Sequence, residues 1–198
     1  MEQTGNQEWQ SFKTGDRRGF QRLYDSYCPH LENYARRFSN DNALLEECIQ
    51  DLFVKLWLNR ETLGNPASVK HYLFKSFRHL LYNKLAGRRK VFSIGDHHDF
   101  EHFDLSVAAF EGKEELSEKM QQMLRKLTPR QQEAIFLFYV EDMSYQEVAD
   151  VLNMQVGGAY KLIYRALDNL KANAEMYLLT LLITSLRLLP STTMPVAV

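Results

Sequence analysis

The chain has 198 residues, 45% hydrophobic and 25% charged, with a formal net charge of −1. That length can bury a sizeable core in one domain or two small ones, and sparse glycine and proline favour helices over a turn-rich sandwich. A net charge near zero says nothing by itself for a nucleic-acid partner, so that argument must rest on how charge is distributed.

The first twenty residues, MEQTGNQEWQSFKTGDRRGF, have no basic lead into an apolar run and no small-residue cleavage site, so secretion is not expected and the cytoplasm is. Cys28 and Cys48 fit a reducing compartment; core packing is the first reading of both and a redox role the second. Phe20, Leu23, Tyr24, Tyr27, Leu31, Tyr34, Ala35 and Phe38 recur at three- and four-residue steps and predict a helix, bent at Pro29 and broken by SNDN at 39–42. Leu45, Cys48, Ile49, Leu52, Phe53, Leu56 and Trp57 predict a second amphipathic helix. Its other face carries Glu46, Glu47, Gln50, Asp51, Lys55 and Asn59.

GNPAS at 64–68 reads as a loop in which Asn65 caps the next helix and Pro66 enters its first turn. That helix should run to about Arg89, with Val69, Leu73, Phe77, Leu80 and Leu81 inward and Phe74 nearer the basic side. Between Asn65 and Ile94 there are seven lysines and arginines and no Asp or Glu; from Asp96 to Glu118 acids dominate. A basic block beside an acidic one points to an anionic partner at the first, although a merely solvated face is the alternative, and to a solvated connector at the second. His97, His98 and His102 in the connector raise a metal site, but no cysteine or periodic scaffold fixes ligand geometry there, and none is expected.

Helical signals return after Glu114. Thr128 with Pro129 and Gln131, and Ser144 with Glu147, form two capping boxes, predicting helices over about 129–140 and 145–152 and a third continuing to about Asn173. Val148, Ala149 and Leu152, a turn at Asn153 and Met154, then Ala159, Leu162 and Ile163 fit a helix-turn-helix, although a three-helix core unit without DNA is the competing reading. Asn153 stands where glycine is usual and tolerates the left-handed backbone a tight turn needs. The second helix of such a unit enters the major groove. It would present Gln155, Val156, Gly158, Tyr160 and Lys161 to bases and Tyr164 and Arg165 to phosphate or sugar.

Together the two halves resemble the extracytoplasmic-function (group IV) sigma factors of bacterial RNA polymerase, in a Bacteroidetes-like branch, over about residues 16–173. LLEECIQDLFVKLWLNRETL is similar to the region 2 helix that grips the polymerase clamp. SVKHYLFKSFRHLLYNKLAGRRK is similar to the adjoining part that handles the minus-10 element, and residues 127–171 resemble region 4, which binds the minus-35 element. The resemblance implies an all-α chain. Its parts are a region 2 domain at 1–91, an acidic linker at 92–113, a helix-turn-helix region 4 domain at 114–175 and an apolar extension at 176–198.

By the same resemblance Glu47, Gln50, Asp51, Phe53 and Trp57 mark the core-binding helix; core packing is the first reading of the two aromatics themselves, and a solvated face is the alternative for Gln50 and Asp51. Base capture falls to the loop Leu63 to Ser68, with Asn65 and Ser68, and to Lys70, His71, Lys75, Arg78 and Tyr82, while Arg88 and Arg89 suit backbone phosphate. The minus-35 element falls to Gln155, Val156, Gly158, Tyr160, Lys161, Tyr164 and Arg165. Expected partners are core RNA polymerase, through its clamp coiled coil and flap, promoter DNA and an anti-sigma factor. No glycine-rich phosphate loop, metal set or nucleophile with a base appears, so no enzyme activity, cofactor or small-molecule substrate is expected. A dimeric helix-turn-helix regulator independent of the polymerase is the alternative. MYLLTLLITSLRLLP at 176–190 is short for a membrane span and is interrupted by Arg187. It reads either as extra packing over the domain or as a contact for an inhibitory partner.

Overall fold

A computed structural model describes residues 2–89, 102–105 and 121–187, with side chains placed over 5–87, 102–105 and 121–173. All regular structure among the described residues is helical. The N-terminal unit comprises α1 (Glu2–Lys13), α2 (Arg17–Ala35), α3 (Asn42–Asn59) and α4 (Val69–Arg89); the C-terminal unit comprises α5 (Pro129–Ile135), α6 (Tyr145–Val151) and α7 (Val156–Arg187).

Most helices begin where a side chain can take up orphan backbone donors. Asp16 accepts from the N–H groups of Arg18 and Gly19, and Asp41 from that of Leu44. Both predicted capping boxes form, Thr128 with Gln131 and Ser144 with Glu147. The start of α4 differs from the sequence reading. Ser68, not Asn65, caps it, accepting from the His71 N–H at 3.3 Å, and Asn65 instead accepts from Lys13 at 3.0 Å. Pro66 therefore lies in the loop, ahead of the helix.

Helix α1 was not expected, because a short polar segment with Trp9 and Phe12 as its large apolar groups carries little periodicity. Those two rings are nonetheless fully buried. Trp9 packs edge-on against Phe12 and Tyr72 and donates its indole N–H to the Gly64 carbonyl at 3.1 Å, so α1 fixes the loop before α4. The close approach of α1 to α2 requires Gly19, where an added Cβ would lie 2.9 Å from the Phe12 backbone nitrogen.

Helix α5 is also shorter than predicted. Its last turn widens into a π-helical segment, Phe136–Val140, closed by the Glu141 N–H donating to the Phe136 carbonyl. The extra residue keeps Phe136 and Leu137 buried, leaves Tyr139 and Val140 exposed, and turns Glu141 inward to 1% exposure.

The core runs without a break through both units. Tyr34 of α2 touches Phe38, Phe74, Phe103 and Phe136, and Phe103 touches Phe38 and Phe136. Phe74 is thus core, not part of the basic side, because the C-terminal unit covers what would otherwise be an outer face of α4. The connector is likewise not solvated throughout. Phe103 and Leu105 are buried, the Asp104 N–H donates to the Arg37 carbonyl, and the Leu105 N–H donates to Gln132 Oε1. Burial of two apolar side chains outweighs the surrounding acidity at this point. The rest of the linker, including His97 and His98, lies outside the described residues, as do the side chains of Arg88 and Arg89 at the end of α4. So does the expected packing of residues 176–198, although the backbone of α7 continues as helix to Arg187. Among the described residues no helix is long and apolar enough to cross a membrane.

Candidate functional site

Three faces bear on function, and the structure treats them differently. The first is an open apolar groove of ≈ 630 Å³ between α2 and α3, lined by Phe20, Tyr24, Gln50, Phe53, Val54, Trp57 and Leu58. Phe53 is buried against Phe20 and Tyr24, and Trp57 is half-buried against Phe12 and Phe20, with Arg60 stacked over its ring. Both aromatics therefore serve the fold and floor the groove. Val54 and Leu58, passed over in the sequence, are 55% and 72% exposed on its rim. They follow Gln50 at four-residue steps, a row on the otherwise polar face of α3. Exposed leucine and valine beside half-buried aromatics form a patch suited to a helical partner.

The acids of α3 that reach towards α4 are not free. Lys84 of α4 reaches Glu47 at 2.8 Å and Asp51 at 2.6 Å. Burial works against the lysine charge, but the two carboxylates outweigh it and raise its pKa above the ordinary value.

The second face is the cationic side of α4, which the C-terminal unit covers. Lys70 pairs with Glu141 at 2.8 Å, and His30 of α2 reaches the same carboxylate at 3.0 Å. Lys75 pairs with Asp150 at 3.1 Å, and His71 Nε2 lies 3.2 Å from its other oxygen. Arg78 binds Glu133 through Nε at 2.8 Å, stacks on Tyr82 and donates to the Tyr82 hydroxyl. Burial opposes the Arg78 charge, yet Glu133 prevails and holds the guanidinium above its usual range. Tyr34 donates to the same Glu133 carboxylate at 2.5 Å. Burial and that neighbouring negative charge keep its phenol protonated, well above the ordinary tyrosine range. Asn65 and Ser68 stay at the edge of this assembly, one tied to Lys13 and the other capping α4.

A separate cavity of ≈ 610 Å³ lies between α3, the following loop and α4, clear of the C-terminal unit. Its lining includes Asn59, Leu63, Tyr72, Ser76, His79 and Asn83. Leu63 belongs to the loop that the sequence marks for base capture; Tyr72, His79 and Asn83 carry no such signal, because their spacing on α4 reads as neither core stripe nor basic row.

The third face is the start of α7. The turn before it has Asn153 in the left-handed region at φ 51°, as its sequence suggested, and the Met154 N–H closes onto the Ala149 carbonyl at 2.8 Å. Ala159, Ile163 and Ala166 are buried beneath, while Gln155, Val156, Tyr160, Lys161, Tyr164 and Arg165 are exposed. Phe138, Tyr145, Tyr160 and Tyr164 form a continuous run of ring contacts along this side. An added Cβ at Gly157 would meet nothing within 4 Å, and one at Gly158 only the flexible end of Met154 at 3.2 Å. Neither glycine is demanded by packing. Both lie in the first turn, where the Gly158 N–H already donates to the Gln155 carbonyl at 2.8 Å.

Comparison with known proteins matches the same two halves. The family described as Sigma-70 region 2 matches residues 23–91, and that described as Sigma-70, region 4 matches residues 117–170. The chain is 21% identical over 150 residues to the ECF RNA polymerase sigma factor SigM of Bacillus subtilis (strain 168), covering 76% of this chain and 91% of that one. Its fold is similar to that of CnrH, solved in complex with the cytosolic domain of CnrY, with a TM-score of 0.60, 20% identity and coverage of 87% and 98%. It is similar also to that of the sigma factor RpoE from Bartonella quintana, solved with the anti-sigma factor NepR, with a TM-score of 0.57, 22% identity and coverage of 79% and 96%.

Proposed function

Because this chain belongs to the sigma-70 family, in the two-domain form of the extracytoplasmic-function sigma factors, we propose how its own residues divide the work of a promoter-specificity subunit. A sigma subunit binds core RNA polymerase and directs initiation at its promoters, and region 2 in the first half leaves no reason to favour a regulator independent of the polymerase.

The observation that carries the assignment is that one chain presents an uncovered groove fit for a protein and, elsewhere, an uncovered recognition helix fit for DNA. The groove takes the clamp coiled coil: Gln50, Val54, Trp57 and Leu58 provide the contact, Phe53 sets its floor, and Glu47 and Asp51 face cations of the partner. The start of α7 reads the minus-35 element. Gln155, Val156 and Lys161 meet base edges, and Tyr164 and Arg165 meet the backbone. At the minus-10 element the loop 63–68 and the ≈ 610 Å³ cavity accept an unstacked base, with Tyr72, His79 and Asn83 as its lining, while Lys70, His71, Lys75, Arg78, Tyr82, Arg88 and Arg89 hold the strand.

The chain does no bond-making chemistry of its own, works in the cytoplasm with the polymerase, and is held in reserve by an anti-sigma factor. This last point is supported by the RpoE structure, which holds such a partner.

The test is to mix the purified chain with bacterial core polymerase and map transcript starts on genomic fragments. Asp51→Ala and Leu58→Ala should each weaken core binding about tenfold or more. Lys161→Ala should leave core binding intact and weaken upstream-element binding. A chain that fails to bind core would overturn the reading.

A further inference from the structure

The cationic face of α4 has no acid on its own helix, yet in the free chain its charges are matched by acids of the C-terminal unit. Glu133, Glu141 and Asp150 meet Arg78, Lys70 and Lys75 one for one along the helix. The Lys75–Asp150 pair is half exposed, but the other two are not casual surface contacts. Glu133 and Glu141 are 3% and 1% exposed, and each has a second partner from α2, Tyr34 or His30. A carboxylate so buried is stable only while its partners stay in place.

The π-helical turn belongs to the same arrangement, since it delivers Glu141 inward. The recognition face of α7, by contrast, stays exposed. Closure therefore covers the cationic row of the minus-10 face, though not its base-capture cavity, and spares the recognition face.

We propose that the C-terminal unit is an internal inhibitor of the minus-10 face, its carboxylates occupying the positions on α4 that strand phosphates take once the units separate. The proposal rests on the sigma reading of α4. Opening exchanges carboxylate for phosphate on the same donors, so the closed form is a competitor of the promoter strand and needs no further partner to act. Binding of core polymerase to the separate groove on α3 leaves that competition to be resolved by whatever holds the units apart in the complex.

Two full-length proteins test this. In one, Glu133→Gln, Glu141→Gln and Asp150→Asn are combined; in the other, Ala86→Cys and Arg130→Cys, which line the cleft between α4 and the C-terminal unit, are joined by a short bis-maleimide. The native Cys28 and Cys48 are buried and so protected from the reagent. The probe for the first is a fluorescent oligothymidylate. The neutralised chain should bind it about tenfold or more tightly than the wild type, and small-angle scattering should show a larger radius of gyration. The joined protein should bind core polymerase but start far fewer transcripts than the same variant left unjoined. Equal strand affinity in a folded neutralised chain, or full transcription from the joined protein, would overturn the proposal while leaving the sigma reading intact. Loss of core binding by the wild type would remove both.

Discussion

Lys84 shows how a single side chain can mislead a reading of its neighbours. The acids Glu47 and Asp51 look like an open anionic face, but in the folded chain both are claimed by this one ammonium. If they serve a cationic partner, Lys84 competes with that partner. Replacing it by methionine keeps most of the apolar stem and removes the charge. Because the pairs are at the surface, stability should change by less than about 1 kcal/mol. Core affinity should hold or rise in Lys84→Met, and Asp51→Ala should do more damage in that background than in the wild type. Titration of labelled chain with core polymerase checks both. Affinity lost to the same extent in Lys84→Met and Asp51→Ala would mean that the pair acts only by fastening α4 to α3. Sequence could reveal the acids, since they recur on one helical face. It could not reveal Lys84 as their partner, because that contact joins separate helices.

At the scale of elements, local rules carried most of the way. The stripes of α2, α3 and α4 and the two capping boxes were legible because each rests on residues within one or two turns. Helix α1 was not, since Trp9 and Phe12 give too few apolar positions to show a period. The widened turn after Ile135 was not legible either, because its register is set by what Phe136 and Glu141 bury against. The start of α7 offers a test at this scale. Gly157 faces open space, so alanine there costs nothing sterically and should raise stability by up to about 1 kcal/mol through helix propensity and the restricted unfolded chain. If its smallness serves DNA, Gly157→Ala should melt higher yet bind the upstream element more weakly, measured by thermal unfolding and by titration of a promoter fragment. A gain in stability with unchanged DNA affinity would show that the glycine is tolerated, not used.

In the whole molecule the two units are joined by more than a tether. Phe103 is seated among Tyr34, Phe38 and Phe136, with ring centroids 4.9 to 6.0 Å away, and the backbone groups of its neighbours Asp104 and Leu105 are held by the Arg37 carbonyl and guanidinium and by the Gln132 side chain. No local pattern in an acidic stretch predicts that one phenylalanine will bridge two hydrophobic cores, which is why the connector read as solvated. A continuous core should make the free chain unfold as one cooperative unit. Removing the bridging ring should weaken that coupling, because Tyr34 and Phe136 still belong to separate units but lose their shared neighbour. Phe103→Ala is expected to cost about 3 kcal/mol or more, on the scale of buried aromatic truncations. Because the ring lies between the units, the loss should fall on their association more than on either fold. Scanning calorimetry should therefore show one transition for the wild type and a broadened or divided one for the variant, and limited proteolysis should cut the variant faster between residues 90 and 120. A single sharp transition, merely shifted downward, would mean that the C-terminal helices do not hold together once they leave α4. Separation would then expose an unfolded segment instead of a working recognition helix. Core affinity separates the consequences further, since the groove on α3 lies away from Phe103 and should bind the polymerase as before.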